Sequence, residues 1–452
     1  MKRIKVMKFG GTSLVTREDR LLAARKVINA KESGFSPVVV VSAIGRDGAP
    51  YATDTLLNLL KEIDPLVPPE PREVDLMLCC GEIMSTCIFA QTLNALGHPA
   101  SAMTGGQAGL VTDANFGNAR IIEVKPDDVL KVIEKGRIPV VCGFQGRSKT
   151  SEESVYGEIT TLGRGGSDTT ASALGAALKA EAIEIYTDVD GVKTADPEYV
   201  PTAPTLRKMT YEEIAEIAHQ GAKVVHPRAA EIAMKFNIPL WIKCTFSDEA
   251  GTEVVQKEKF PGRRVTGVTH TGTLVYLQFD APFGKDKSFI ETRVYELMAD
   301  NKINLFMLNV HPNSFGFAVP RKQLLSVKEI LDGLVIPIEE GSERAYILQI
   351  GNKPSAEVKA QERMLSGMKA LEEIKKCVAK ITENCSMVSL IAHEYLQQPG
   401  VYLRVLECLS RENIHVLQTC DSPLSLSVLV SEADCERAVL LLHEEFELAE
   451  AV

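Results

Sequence analysis

The sequence has ten cysteines but no C-x-x-C pair, and eight histidines but no H-x-x-x-H spacing. Zinc fingers and helical zinc sites are therefore excluded, and scattered thiols read as reduced groups in a cytoplasmic protein. No positive excess is present: 60 acidic residues oppose 50 basic ones, for a net charge of −10. A nucleic-acid binder needs a basic face, so nucleic acid is not an expected partner. No apolar run approaches the ~18 residues of a membrane helix, and the apolar stretch after the basic start MKRIKV is too short for a secretory signal. No membrane partner is expected. Aromatics are few, at 6%, yet hydrophobic residues reach 45% and charged ones 24%, which is ordinary globular composition. With 452 residues, two or three domains are expected.

The first ~240 residues alternate strand-like and helix-like segments. Ile4 to Phe9 reads as a strand ending in Gly10-Gly11, and Arg17 to Glu32 as a helix with Leu21, Ala24 and Ile28 on one face. Pro37 to Val41 and Ile138 to Cys142 are apolar runs typical of strands buried on both faces. Helices are expected near 54–63, 74–96, 126–134, 167–179 and 211–219, with strands at 183–187 and, last, 238–244. This predicts an α/β fold with a mainly parallel sheet between helical layers, binding ligands at the carboxyl ends of its strands.

A linker falls near Phe260 to Arg264. Beyond it an internal repeat runs at a constant offset of 111 residues. Ile290, Val294 and Met298 map onto Val401, Val405 and Leu409, and Ser314 to Val319 onto Ser425 to Val430. Each copy reads as a small α+β unit of the βαββαβ kind. The expected boundaries are 1–260, 265–340 and 384–452, with 341–383 as a connecting segment of no assigned role.

Four clusters carry candidate chemistry. Lys8 with Gly10-Gly11 stands where a strand meets a helix; the glycines let backbone amides approach an anion, though such a turn is often only a turn. Thr160 to Ala171 sets Arg164 among glycines before an Ala-rich helix. Ser167 or Asp168 reads as an N-cap, while a guanidinium between glycines suits a bidentate grip on a carboxylate or phosphate. Thr187-Asp188 closes a strand where ligands bind in this architecture, and Asp190-Gly191 reads as a tight turn. In Gly221 to Pro227, His226 reads as structural and Lys223, taken alone, as a solvated charge. Ser42, Thr53 and Glu82 are weaker candidates. Glu82 lies in an otherwise apolar helix and needs a partner there, either a substrate ammonium or an ordinary lysine or arginine.

Taken together, KFGGTSL, SAIG, Gly81-Glu82, GNARI, GFQG, TTLGRGGSDTTA, YTDVDGV and GAKVVHPRA resemble the aspartokinases of the amino acid kinase superfamily. The likeness covers residues 1–260 and continues more faintly into the repeat, which is similar to the paired ACT domains of that family. The resemblance implies a three-layer αβα kinase domain and two ACT-like regulatory domains. It implies transfer of the γ-phosphoryl group of ATP, with Mg²⁺ held mainly by phosphates, to the side-chain carboxylate of L-aspartate. That reaction opens lysine, threonine and methionine synthesis.

By the same resemblance Lys8 and Asp168 are catalytic. Lys8, Gly10, Gly11, Thr187, Asp188, Lys193, Lys223 and Val224 bind nucleotide, and Ser42, Thr53, Glu82, Arg164, Gly165, Gly166 and Ser167 bind aspartate. No protein-held metal is implied. An amino-acid effector would meet Pro399, Gly400, Asn413 and Ile414, and a homodimer or higher homo-oligomer would form through the ACT-like domains. The sequence departs from the family pattern at Asp190, Lys193 and Glu198, and at Phe306 where an acid is usual; within the repeat, Ser288-Phe289 stands where the second copy has Pro399-Gly400. Competing readings are another amino acid kinase and a catalytically inactive amino-acid sensor.

Overall fold

In a computed structural model, the structure describes residues 3–46, 48–64, 66–149, 157–221, 225–256, 265–280, 285–338, 344–366, 373–392 and 400–450. The chain divides into two compact units. One comprises Met1–Pro197, Pro201–Thr266 and Leu448–Val452, and the other Glu198–Val200 and Gly267–Glu447.

The first unit begins β1 (Ile4–Phe9), α1 (Arg17–Glu32), β2 (Ser36–Val41), α2 (Thr53–Lys61), α3 (Pro71–Ala95) and β3 (Ala100–Met103). It continues with β4 (Leu110–Thr112), β5 (Ile121–Val124), α4 (Asp127–Glu134), β6 (Ile138–Cys142), β7 (Gln145–Ser148), β8 (Ile159–Thr161) and α5 (Gly166–Leu178). It closes with β9 (Ala182–Thr187), β10 (Lys208–Thr210), α6 (Tyr211–His219), α7 (Pro227–Lys235), β11 (Leu240–Cys244) and β12 (Thr252–Val255).

The main sheet has the order β10-β12-β11-β9-β1-β2-β6-β3 and is parallel except between β11 and β12. Five neighbouring strands therefore end on one edge, presenting Gly10, Ser42, Gly143, Thr187 and Thr245 in adjacent loops. Alternation along β1 divides its side chains between two layers. Met7 and Phe9 enter a core with Val27 of α1 and Phe89 of α3, where Phe9 stacks on Tyr186 at 4.7 Å. The opposite face receives α5, whose small residues permit a close approach: a Cβ on Gly175 would come within 2.6 Å of Ile183. Lys8 consequently points toward α5.

The expectation that 238–244 is the last strand needs correction. β12 follows and pairs antiparallel with β11, while β4, β5, β7 and β8 form a separate sheet ordered β5-β4-β7-β8. These strands have only three or four residues, too few to show a two-residue period. The expectation about apolar runs also needs correction. α3 is long and apolar enough to span a membrane by composition, with a mean hydropathy of 1.5 over 18 residues, but half of that window is buried in the unit. It packs against β3, β6 and β8 as a core helix.

The second unit contains β13 (Gly267–Asp280), α8 (Lys285–Asp300), β14 (Phe306–His311), β15 (Ser314–Pro320), α9 (Leu324–Leu331), β16 (Val335–Pro337) and β17 (Arg344–Ile350). α10 (Ala356–Ser366), β18 (Glu373–Ile391), α11 (Val401–Arg411), β19 (Gln418–Asp421), β20 (Ser425–Ser431) and α12 (Cys435–Glu445) follow. The 111-residue offset survives in the hydrogen-bond register. Val275, Leu277 and Phe279 pair with Val319, Phe317 and Phe315, as Ser386, Val388 and Leu390 pair with Val430, Val428 and Leu426.

The long strands β13 and β18 also pair with each other: Gly267 lies opposite Ile391 and, one repeat step over, Asp280 opposite Val378. Each repeat thus borrows half of a long strand from the other. The stretch 341–383, left without a role by the sequence, supplies β17, α10 and the first half of β18. There Val358 and Leu365 of α10 pack on Ile347 and Ile374. The linker at 260–264 lies outside the described residues.

Candidate active site

The candidate site forms along the strand-end edge. After β1 the chain turns sharply at Gly10-Gly11. A Cβ on Gly11 would lie 2.3 Å from the Ala43 carbonyl oxygen, so only glycine lets this turn meet the loop after β2. The Gly10 amide donates to the Tyr186 carbonyl at 3.2 Å, so of the two amides expected to receive phosphate this one is already engaged. The expected helix N-terminus also needs correction. A 3-10 turn, Gly11–Leu14, follows the glycines, and α1 starts later with its own amides capped by a Thr16–Asp19 box.

Lys8 Nζ lies 2.7 Å from Asp168 Oδ1, and Asp168 Oδ2 accepts the His226 backbone N–H at 3.2 Å. Asp168 is free to do this because it does not cap α5. Gly165, in the left-handed region at φ +68°, is the N-cap, with no side-chain cap bond. Glycine is required there twice over, since a Cβ would fall 2.2 Å from the His226 ring. His226 itself caps α7, its Nδ1 accepting from Arg228 N, and burial pushes its pKa down. This matches its structural reading.

On the α3 side, Glu82 is 2% exposed. Its Oε1 accepts the Ala43 N–H at 3.1 Å, while Oε2 has no hydrogen-bond partner among the described residues. Burial pushes its pKa up to about 8, against the opposing Ala43 bond. Gly81 lets the loop after β2 settle onto this carboxylate: a Cβ there would lie 2.8 Å from the Tyr51 carbonyl oxygen. Ser42 stands half-buried at the end of β2 and Thr53 opens α2. Ser167 is buried beneath Gly143, where a Cβ would meet its Oγ at 2.6 Å. Gly166 is buried, and Arg164 and Gly165 are exposed. The Arg164 guanidinium makes no ion pair among the described residues.

At the end of β9, Thr187 Oγ1 donates to Asp188 Oδ1 at 3.1 Å. Asp188 is also paired with Arg46 at 2.7 Å. Lys193 bonds to the Ala203 carbonyl and to Thr205 Oγ1, at 3.3 and 3.4 Å, so its ammonium ties down its own loop rather than standing free for a phosphate. Lys223 and Val224 lie outside the described residues, as does Pro399. Sequence reasoning missed Arg46 and Asp75. Arg46's partner is 142 residues away, and the only signal for Asp75 was an acid in an apolar helix, the same signal that raised Glu82.

In the second unit, Gly400 caps α11 at φ +92°, Asn413 ends that helix at φ +58°, and Ile414 is buried. Phe306 packs with Tyr276 and Met307. Phe289 lines a cavity of about 660 Å³ between α8 and β16, with Leu334, Ile336 and Pro337.

Residues 3–244 match the amino acid kinase family, and residues 388–446 match the ACT domain. The matched kinase-family residues are those that build the mainly parallel sheet and its flanking helices. The chain is 37% identical to aspartokinase 1 of Bacillus subtilis, over 99% of this chain and all of that one. It is 34% identical to the aspartokinase of Geobacillus stearothermophilus, over 99% and 98%. Its fold resembles that of Escherichia coli aspartokinase III, solved with aspartate and ADP, at a TM-score of 0.72, 23% identity and coverage of 98% and 99%. The chain belongs to the aspartokinase family.

Proposed function

We propose that this chain transfers the γ-phosphoryl group of ATP to the side-chain carboxylate of L-aspartate, giving 4-phospho-L-aspartate and ADP. The observation that carries the reading is the Lys8–Asp168 pair at the carboxyl edge of a parallel sheet, together with a buried acid, Glu82, that is bonded to the loop after β2 and keeps one unsatisfied oxygen. A β-carboxylate has an ordinary pKa near ~3.9 and is ionised at pH 7, so no general base is needed. An oxygen of that carboxylate attacks the γ-phosphorus, the bond to the β,γ-bridging oxygen breaks, and ADP leaves with its electron pair. What the protein must supply is positive charge and position.

Lys8, steadied by Asp168, faces the transferring group, with the Gly11 amide beside it. Arg164 grips a substrate carboxylate and Glu82 receives the ammonium, while Ser42, Thr53, Gly165, Gly166 and Ser167 line the same pocket. Thr187 and Asp188 border the nucleotide. By the family resemblance, Mg²⁺ would be held mainly by phosphate oxygens, with water completing its oxygen shell. When bound, Mg²⁺ neutralises charge on the β- and γ-phosphates. The ten free thiols suit a reducing cytoplasm.

The test is to trap the acyl phosphate with hydroxylamine, using ATP, Mg²⁺ and L-aspartate. Hydroxamate should form with aspartate, whereas a better yield with glutamate or acetylglutamate would assign the chain to a sister activity. No ADP release with any of them would leave an amino-acid sensor.

We further propose a catalytic domain over 1–260 and ACT-like domains over 265–340 and 384–452, fed by strands from 341–383. An amino-acid effector would bind by Gly400, Asn413 and Ile414, and a homodimer would form through the ACT-like half. A relative, Escherichia coli aspartokinase III, has been solved with lysine and aspartate in a T-state. Here the apolar Phe306 and Phe289 make the first repeat a poor lysine receptor, so lysine should inhibit weakly unless Phe306→Asp is introduced. Titrating lysine, threonine and diaminopimelate against activity, with light scattering for assembly, tests both parts. Strong lysine inhibition abolished by a change at Phe289 would refute the first.

A further inference from the structure

Asp75 lies in α3 with no exposed surface. Both its oxygens accept the Gly117 N–H at 3.0 Å, Oδ2 accepts the Thr161 N–H at 2.7 Å, and Oδ1 accepts the Thr161 hydroxyl at 2.7 Å. The two segments it holds are fastened to each other as well. Ala119 N donates to the Thr161 carbonyl at 2.8 Å, and Gly163, at φ +74°, lies against Gly117 and Asn118, where a Cβ would come within 3.1 Å of the Asn118 side chain. Beyond Thr161 the chain runs straight into Arg164 and then Asp168.

Asp75 also stands seven residues before Glu82, two helical turns back on the same face. One rigid helix therefore carries both the buried acid of the pocket and the anchor of the loop that bears the guanidinium. We infer that Asp75 is a positioning residue of the aspartate pocket, fixing the separation between Glu82 and Arg164 and hence the length of substrate that spans them. This rests on the reading that those two residues take the charged ends of aspartate.

The two carboxyl oxygens of Asp75 accept from Gly117 N, from Thr161 N and from the Thr161 hydroxyl together. An amide offers one acceptor oxygen and turns two donors on its neighbours. In the full chain, Asp75→Asn should raise the aspartate KM at least tenfold, leave the ATP KM within twofold, and lower kcat by less than tenfold. Thermal shift by aspartate should be lost while the shift by ATP analogues is kept. A purely structural anchor would instead lower Tm and leave both KM values alone, and that result overturns the inference. A parallel rise in both KM values does so too.

If Asp75→Asn fails to fold, Thr161→Val removes one of the four bonds and keeps the branched shape. It should raise the aspartate KM two- to fivefold, and no change refutes the proposal. Arg164→Lys and Glu82→Gln separate the two levels. If they leave the aspartate KM unchanged, the pocket assignment and this inference fall together; if they raise it while Asp75→Asn does not, only the inference falls.

Discussion

Lys8 and Asp168 face each other across the β1–α5 layer at 2.7 Å, with side chains 12% and 11% exposed. A charge so enclosed acts with little screening by water. Lys8→Ala should lower kcat by about 10²–10³ while changing the ATP KM little, because its charge matters most as the phosphoryl group transfers. Steady-state kinetics decides this: a tenfold KM change with kcat intact would make Lys8 a ground-state ligand. The same variant strands Asp168, so stability should fall by ~3 kcal/mol or more, measured by denaturant unfolding.

Arg164→Lys should raise the aspartate KM tenfold or more with ATP affinity spared. A lysine cannot reproduce a two-point grip on a carboxylate. Equal loss for both substrates would remove Arg164 from the pocket.

Glu82 gives a pH signature. Its pKa is pushed up to about 8 by burial, so between its ordinary range and pH 8 the folded chain holds a proton that the unfolded chain releases. Stability should therefore fall as pH rises from 5 to 8. Glu82→Gln removes that dependence, and its Tm advantage over wild type should grow toward pH 8. The thiols facing Glu82 stay neutral across this range, since burial pushes Cys142 up to about 12 and raises Cys79 further. Aspartate binding should release a proton near pH 7, visible as a buffer-dependent heat in calorimetry. No proton release would mean that Glu82 is not the ammonium's partner.

The Arg46–Asp188 pair is exposed, at 76% and 37%, and such pairs contribute about 0–1 kcal/mol. Arg46→Ala should leave Tm nearly unchanged yet raise the ATP KM severalfold, because it frees the loop after β2 from the nucleotide edge. A large Tm loss would mark the pair as structural instead.

Much of this was legible in the sequence. β1 reads as a strand because an apolar run stops at two glycines, and that placed Lys8 at a strand end. The repeat was visible because Val275, Leu277 and Phe279 share their spacing with Ser386, Val388 and Leu390. What stayed hidden depended on partners far along the chain. A side-chain pattern tells which face of β13 is buried but not that β18 pairs with it. The residues around Asp168 offer a local cap as well as a site, and only the family resemblance, not the local pattern, joins Asp168 to Lys8, 160 residues away. Lys193 enters the nucleotide set only through the resemblance, at a position that departs from the family pattern, and nothing nearby in sequence shows that Ala203 and Thr205 engage it.

The shared pairing of β13 with β18 also sets a timetable. Gly267 waits for Ile391. At a synthesis rate of ~5–20 residues per second, roughly 6–25 s separate the emergence of the two strands from the ribosome. Through that interval β13 has an open edge, the kind of surface that templates aggregation or pairing with another chain. Destabilising substitutions in β18 should therefore lower soluble yield more than equal ones in β2, whose partner β1 has already been made, and co-expressed chaperones should narrow the gap.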